Sequence, residues 1–460
     1  MPLSRPLLAT ALTASAALGL IAAPAALAAP ATVGAPAAAG AAATNSGSFS
    51  VLTYNVAGLP DFLSSASNDR QGSTTTIGQR LGPYSLVNVE EDFNYHAALY
   101  AADTTHPYRT PTSGGAGIGS GLNTLSQLPY DTDDFERVKW DTCYIGSGDC
   151  LTPKGFTFLR ARLTEGGYLD VYNLHTDAGT EPGDLTARAA NLAQLSAFVK
   201  THSAGNAVLV AGDTNTRYTR AEDTIGAFAA ENQLTDAWVS LERGGVAPAP
   251  GAPALLCDDR TVTDSCEVVD KVLYRGSRQL SLTATSYSNK HSDFLDAAGT
   301  KLSDHYPIAV GFDWSENPDY RASEQFGGPH GDYFNDVTRV PAGARAAGVS
   351  LRGDARVDRI GLTLTDGTEL GHGGTGGTAS SLTLGADEYL TSVRLCRGSY
   401  SGHSRIFQAQ ITTSLGRTLT AGTSTADCVT RTAPAGWQIA GFTGRSGDEL
   451  DKLGLLFTRR

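Results

Sequence analysis

The chain has 460 residues, more than one hydrophobic core usually accommodates, so at least two folded domains are expected. Its formal net charge of −12 excludes nucleic-acid affinity through a broad basic surface, but not a nuclease that meets phosphate through a bound cation. The six cysteines include no Cys-x-x-Cys and no Cys/His cluster with zinc spacing, which argues against structural zinc.

Residues 1–28 have a basic start at Arg5, the apolar run "LLATALTASAALGLIAA" and a small-residue cleavage site in "ALAAP". They read as a signal peptide, so the mature protein is expected to be secreted and extracellular. Residues 29–48 are almost entirely Ala, Pro, Gly, Thr and Ser, a composition that buries too little apolar surface to fold, and read as a disordered leader. No later segment is apolar enough to span a bilayer, so no transmembrane segment is expected once the signal is removed.

From Phe49 to Trp314 strand and helix patterns alternate. "FSVLTYNV", "SLVNVEE", "GFTFLRARL", "YLDVYNLHTD", "NAVLVAGDTN", "VVDKVLYRG" and "YPIAVGFDW" are β-rich runs bounded by Gly, Pro, Asp or Asn. Between them, "DLTARAANLAQLSAFVKTHS" places Leu185, Ala189, Leu192, Leu195 and Val199 on one helical face. The polar residues of interest recur where strands end, which is where layered folds assemble sites: Asn55, Glu91, His175, Asp213, Asn215, Asp270, and Asp304 with His305. Each alone has a bland reading, as an Asx turn, an acidic loop or a hydrogen-bonded structural histidine.

Taken together and in this order, "TYNVAGL", "NVEED", "YNLHTD", "GDTN", "VVDKVL" and "SDHYPI" resemble the endonuclease/exonuclease/phosphatase superfamily of metal-dependent phosphoesterases, over essentially Phe49 to Trp314. The resemblance implies an α/β four-layer sandwich and a phosphodiester hydrolase. It implies that Glu91, with Asn55 nearby, holds Mg²⁺ or another divalent cation such as Mn²⁺ or Ca²⁺, hard ions that prefer oxygen ligands. The Gln usually preceding the metal-ligand Glu is here Glu90, and the motif alignment selects Glu91. Asp213 and Asn215 would position the phosphoryl group and the attacking water. His305 would act as general base or stabilise the pentavalent state, with Asp270 orienting it and Asp304 completing the polar site. His175 would protonate the departing oxygen.

Within the superfamily, "HPYRTP" and the "KGF" that follows a cysteine look more like secreted sphingomyelinases than pancreatic-type deoxyribonucleases. Where bacterial sphingomyelinases often carry an aromatic-rich hairpin, this chain has "SYSNKHSDFLDAAGTK", with only Tyr287 and Phe294. The sphingomyelinase-like runs make a phospholipid head group, met by peripheral membrane contact, the expected substrate, and the missing aromatic hairpin counts against that contact. A nuclease is the alternative.

Residues 315–323 read as a linker. Beyond it, residues 324–460 consist of short alternating runs with Gly turns, an all-β pattern. "GGPHGDYFND", "GHGGTGG" and "IAGFTGRSGDELDKLG" resemble a jacalin-like lectin, which implies a β-prism and a glycan ligand. Carried over, Gly331, Asp448, Glu449 and Asp451 would meet a monosaccharide, glycine at 331 allowing close approach. The Gly-x-x-x-Asp spacing fits Gly447 to Asp451 and also Gly444 to Asp448; the later frame is preferred because Leu453 and Gly454 then continue as the family's last strand does. The second class of function is thus a carbohydrate-binding protein with an inactive enzyme domain.

The cysteines group as Cys143 with Cys150, Cys257 with Cys266 and Cys396 with Cys428. An even count in an exported chain predicts disulfides; spacing alone does not fix the pairing, and local pairing is the expectation.

Overall fold

A computed structural model describes residues 45–66, 69–114 and 118–460; the signal peptide, and the leader as far as residue 44, lie outside the described residues. Among the described residues twelve strands make up the N-terminal half: β1 (Ser46–Asn55), β2 (Leu86–Glu90), β3 (Tyr108–Arg109), β4 (Asn123–Ser126), β5 (Glu136–Lys139), β6 (Gly155–Thr164), β7 (Gly167–His175), β8 (Ala207–Asp213), β9 (Thr235–Asp236), β10 (Asp270–Arg275), β11 (Leu280–Asn289) and β12 (Ile308–Glu316). They form two six-stranded sheets, in the orders β11-β12-β1-β2-β4-β3 and β5-β6-β7-β8-β10-β9. The pairs β1/β2 and β7/β8 are parallel.

Strand parity builds the layers. In β1, Val51 enters the core between the sheets, whereas Leu52 and Tyr54 face an outer cluster with Ile77 of the helix Arg70–Arg80 and Leu81 at its C-terminal end. Both faces are buried, so the run reads as nearly continuous apolar sequence. On the outer side of the second sheet the helix Pro182–His202 sets Phe198 against Phe156 and Phe158, at centroid distances of 4.9 and 5.8 Å. The order is helix, sheet, sheet, helix, the expected four-layer sandwich. The buried face of that helix is broader than the apolar pattern: Leu192, Leu195 and Val199 are buried and Leu185 and Ala189 half-buried, but Arg188 and Asn191 are buried too. Arg188 is tied to Asp223 at 2.9 Å, and the Asn191 amide donates to the Thr142 carbonyl at 2.8 Å.

The same parity sends Asn55 and Glu90 inward with Val51 and Leu86. Asn88, in phase with Glu90, crosses the gap to donate to the Tyr172 and Ala211 carbonyls of the opposite sheet at 3.2 and 2.8 Å. In the second sheet His175, Asp213 and Asp270 stand side by side in register at the ends of β7, β8 and β10. The polar strand ends therefore converge on one end of the sandwich.

The C-terminal half has three sheets of five, four and four strands around one core that includes Leu351, Ile360, Leu395, Ile411, Phe442 and Leu455. It is a β-prism. All three cysteine pairs are bridged as expected.

Two boundaries differ from the sequence reading. Ser46–Ser48, in the expected leader, pair with Asp313–Ser315 of β12, and Ser315 and Glu316, in the expected linker, complete β12. Tyr320–Ala322, also in the linker, pair with Leu456–Thr458. Small polar residues carry no apolar signal, yet their backbone groups are satisfied by these ladders. The halves also meet along a polar seam. Tyr333 lies under the Arg160 and Arg445 guanidinium groups at 4.6 and 4.0 Å, Glu324 accepts from the Tyr168 hydroxyl at 2.6 Å and pairs with Arg162 at 2.9 Å, and Asn335 donates to Asn206 at 2.7 Å. A cavity of about 270 Å³ lies in it, lined in part by Tyr130, Asp131, Arg162 and Gln325.

Candidate functional site

Asp213 is the centre of the polar cluster. It is 1% exposed, and its Oδ2 lies 3.1 Å from Asn55 Nδ2, 3.3 Å from His175 Nε2 and 3.7 Å from His305 Nε2. Its Oδ1 accepts from the Asn215 backbone N–H at 2.9 Å. Asn55 Nδ2 donates also to Glu91 Oε1 at 3.1 Å, while Asn55 Oδ1 accepts from the Ala57 N–H at 3.0 Å. Asn55 thus presents its amide nitrogen to two carboxylates and orients both. Asp270 brackets His305 Nδ1 with both oxygens at 3.1 Å. Asp304 accepts from Ser65 and, at 3.3 Å, from Ser303, whose hydroxyl donates also to the Asn55 carbonyl at 2.6 Å. Asn215 turns its side chain toward the Thr176 carbonyl at 3.3 Å.

All eight residues expected at the phosphoesterase site are therefore drawn to one end of the sandwich. Three of the five non-glycine residues with left-handed backbone among the described residues are there as well: Ala57 (φ 47°), Glu91 (φ 53°) and Asn215 (φ 49°). Such conformations cost about 1–3 kcal/mol each and persist only where surrounding contacts impose them. In Glu91 this turn brings the carboxylate to Asn55. Glu90 is fully buried: Oε1 accepts from Thr53 at 3.1 Å and Oε2 has no partner.

The charges shape the protonation. Burial lowers the His305 pKa, but the carboxylates of Asp270, Asp213 and Asp304 outweigh it and hold the imidazole well above its ordinary value. Burial and then Lys154 push His175 down to about 3, so it stands neutral. Burial, with Asp270 and Asp213 adding repulsion, holds Glu90 well above the carboxylate range, and burial also raises Glu91. Asp213, Asp270 and His305 each offer an atom within 4.8 Å of the others. With Glu91 and the partnerless Glu90 Oε2 beside them, the donors are chiefly hard carboxylate oxygens, a set that fits a hard divalent cation.

Lys154, to which the sequence reading assigned no role, belongs to this neighbourhood. Its Nζ binds Asp149 and the Thr176 carbonyl, the latter at 3.3 Å, and its charge acts on His175, Asp213 and Glu91. The "KGF" run was its only signal.

In the β-prism, Gly331 (φ 75°) lies against Asp451: a Cβ there would fall 2.6 Å from Asp451 Oδ2. Asp451 is buried, Oδ2 has no partner, and Oδ1 accepts from Arg405 at 2.7 Å. Glu449 takes a bidentate bond from Arg356 at 2.9 and 2.6 Å and lies 3.1 Å from Arg405. Gly331, Glu449 and Asp451 are thus gathered with two arginines absent from the sequence reading. Asp448 is exposed.

Comparison with known proteins follows the same division. Residues 69–243 match the model of the endonuclease/exonuclease/phosphatase family 2, and residues 323–456 that of the jacalin-like lectin domain. The chain is 43% identical over 276 residues to proteins named sphingomyelinase from Mycobacterium tuberculosis and Mycobacterium bovis, covering 58% of this chain and 53% of theirs. It spans about half the length of these relatives. Horcolin of Hordeum vulgare is 31% identical over 137 residues, which cover 28% of this chain and 92% of horcolin. The crystal structure of sphingomyelinase C from Streptomyces griseocarneus aligns over 58% of this chain and 99% of its own, with 22% identity and a TM-score of 0.40. The chain thus carries a C-terminal domain of the jacalin-like lectin family, preceded by a domain that matches the endonuclease/exonuclease/phosphatase family 2 over residues 69–243.

Proposed function

We propose that this protein is a secreted, metal-dependent phosphodiester hydrolase that cleaves a phospholipid head group as a sphingomyelinase does, with the lectin domain holding it to a glycan-bearing surface. One observation carries the hydrolase reading: two imidazoles, His175 and His305, face the same Asp213 oxygen at 3.3 and 3.7 Å, beside hard oxygen donors. A phosphodiester is anionic, and its hydrolysis needs charge offset, a base for water and an acid for the leaving oxygen. Mg²⁺ or a similar ion held by Glu91, steered by Asn55, would offset the phosphate charge and acidify water.

Asp270 fixes His305 through Nδ1 and leaves Nε2 to exchange a proton. The resting protonation favours the reverse of the division expected from sequence: neutral His175 takes the proton of the attacking water, whose oxygen bonds to phosphorus as the P–O bond to the leaving group breaks, and protonated His305 gives its Nε2 proton to the departing oxygen. Asn215 and Asp213 orient the phosphoryl group.

The lipid reading is supported by the 43% identity to sphingomyelinases and by a feature of the loop after β1. Phe62 and Leu63 are 84% and 58% exposed there, in the loop whose Ser65 donates to Asp304, and exposed apolar side chains at a cleft suit an acyl interface. The test is to offer the mature protein, with Mg²⁺, sphingomyelin vesicles and plasmid DNA side by side. Phosphocholine release is expected. DNA cleavage without it assigns a nuclease, and silence on both leaves a lectin with an inactive enzyme domain.

A further inference from the structure

Away from the Asp213 centre, three carboxylates are buried together. Asp149 comes from the turn inside the Cys143–Cys150 loop, Asp177 from the segment after β7, and Asp184 from the first turn of the helix Pro182–His202. They are 7%, 1% and 0% exposed, and each offers an oxygen within 4.8 Å of the others. Some of the oxygens are satisfied. Lys154 binds Asp149 Oδ1, the Tyr144 N–H donates to Asp177 Oδ2 at 2.7 Å, and the Glu181 N–H donates to Asp184 Oδ2 at 2.9 Å. Asp177 Oδ1 and Asp184 Oδ1 are out of contact with solvent and accept from no donor.

Burying an anionic oxygen with no partner is strongly unfavourable, and here two carboxylates of one cluster each carry such an oxygen. Three carboxylates against the single ammonium of Lys154 leave an excess of about two negative charges if all are ionised. Arg188, the neighbouring guanidinium, is committed to Asp223 at 2.9 Å and to the backbone carbonyls of Asp177 and Gly179 at 2.9 and 3.0 Å. The helix N-terminus is already served by the capping box that Asp184 Oδ2 makes with Glu181, which leaves Oδ1 without a partner.

We propose that Asp149, Asp177 and Asp184 hold a structural divalent cation, separate from the phosphoesterase centre. The ligands are all oxygen, and three separate segments supply them with irregular geometry. That favours Ca²⁺ over Mg²⁺, which keeps several waters and an ideal octahedron. The ion joins the Cys143–Cys150 loop, the Thr176–Gly179 segment and the helix start into one rigid backing. Lys154 spans it and the Thr176 carbonyl, next to His175, so the site positions the catalytic neighbourhood without touching substrate.

The proposal is independent of the substrate, and its test reads binding. The full-length protein is stripped with chelator and titrated with Ca²⁺ by calorimetry and, in parallel, with Tb³⁺, whose luminescence Tyr144 can sensitise because its backbone bonds Asp177. Asp177→Asn and Asp149→Asn, nearly isosteric, are compared with Glu91→Gln. The wild type and Glu91→Gln should share one Ca²⁺ event and its gain in Tm. Both aspartate variants should lose that gain and weaken this event by at least about tenfold, with folding checked by near-UV circular dichroism. The proposal is overturned if the aspartate variants bind Ca²⁺ as the wild type does, or if Glu91→Gln removes the only event. It is overturned equally if stripped wild type shows no gain in Tm with Ca²⁺, since the cluster is then neutralised by protons. Loss of hydrolysis with this Ca²⁺ event intact would count against the hydrolase reading alone.

Discussion

Lys452, one residue past Asp451, reaches across the seam between the halves to Asp134, its Nζ 2.9 and 2.8 Å from the two carboxylate oxygens. Arg445 approaches the same carboxylate at 3.3 Å, and the side chains of Lys452 and Asp134 are only 5% and 6% exposed. A pair this dry is costly to break from one side, because the surviving charge is left buried. Lys452→Ala should therefore destabilise the protein in urea unfolding, by less than the about 3–5 kcal/mol of a wholly unpaired buried charge because Arg445 stays beside Asp134. Asp134→Leu combined with Lys452→Met should recover most of that loss. A double variant no more stable than Lys452→Ala would show that the contact does not hold the seam.

The phosphoesterase centre makes a kinetic prediction. Glu91→Ala and His305→Ala should each lower turnover at least about a hundredfold with the fold retained, and a chelator should abolish activity. Either folded variant running near the wild-type rate on the true substrate removes that residue from the mechanism.

The lectin loop should be separable in its effect. Asp451→Ala removes the acceptor beside Gly331 and releases Arg405, so retention on a glycan array should fall to background. Hydrolysis of a soluble phosphodiester should be unchanged, because tethering raises local concentration without altering the chemical step. Glycan retention equal to wild type would place the sugar contact elsewhere.

The fold should lose stability in acid through His202. Burial, with the Arg445 and Arg160 charges adding to it, pushes the folded His202 pKa from 6.5 down to about 4, partly offset by the Phe198 carbonyl and Asp170. Between these values the unfolded chain binds a proton that the folded chain refuses. The contribution is complete above about pH 6.5 and is lost as pH falls toward 4. A His202→Phe variant should show a shallower decline of Tm over that window, measured by calorimetry; identical slopes would exclude His202 as a source of the acid sensitivity.

Much of this architecture was legible because a strand repeats every two residues. Val51, Thr53 and Asn55 announce one face and Leu52 and Tyr54 the other, and the chemistry-bearing residues stand where such runs end. Parity alone, however, selects Glu90 as the inward acid. Glu91 reaches the same cleft because its backbone is left-handed, which no propensity announces. Lys154, Arg356 and Arg405 went unassigned because their partners are distant in sequence: Arg405 meets an acid 46 positions away and Arg356 one 93 positions away. Asp134 and Lys452, 318 positions apart, lie in runs whose local pattern is ordinary. The short strands at the two domain boundaries were read as leader and linker because their residues are small or polar, and only pairing makes them β.

Ala57, Glu91 and Asn215 hold backbone angles that glycine adopts without strain, and all three border the Asp213 cluster. Thermal resistance and hydrolytic competence are therefore set against each other at the same positions. A library selected only for survival on heating would enrich glycine at 57, 91 and 215, since each replacement relieves about a kilocalorie of strain or more. Glycine at 91 or 215 would also remove a side chain from the centre, and at 57 it would slacken the turn that fixes Asn55. A lineage bred for hardiness alone would drift toward a robust two-domain fold stripped of the polar centre on which the proposed hydrolysis depends.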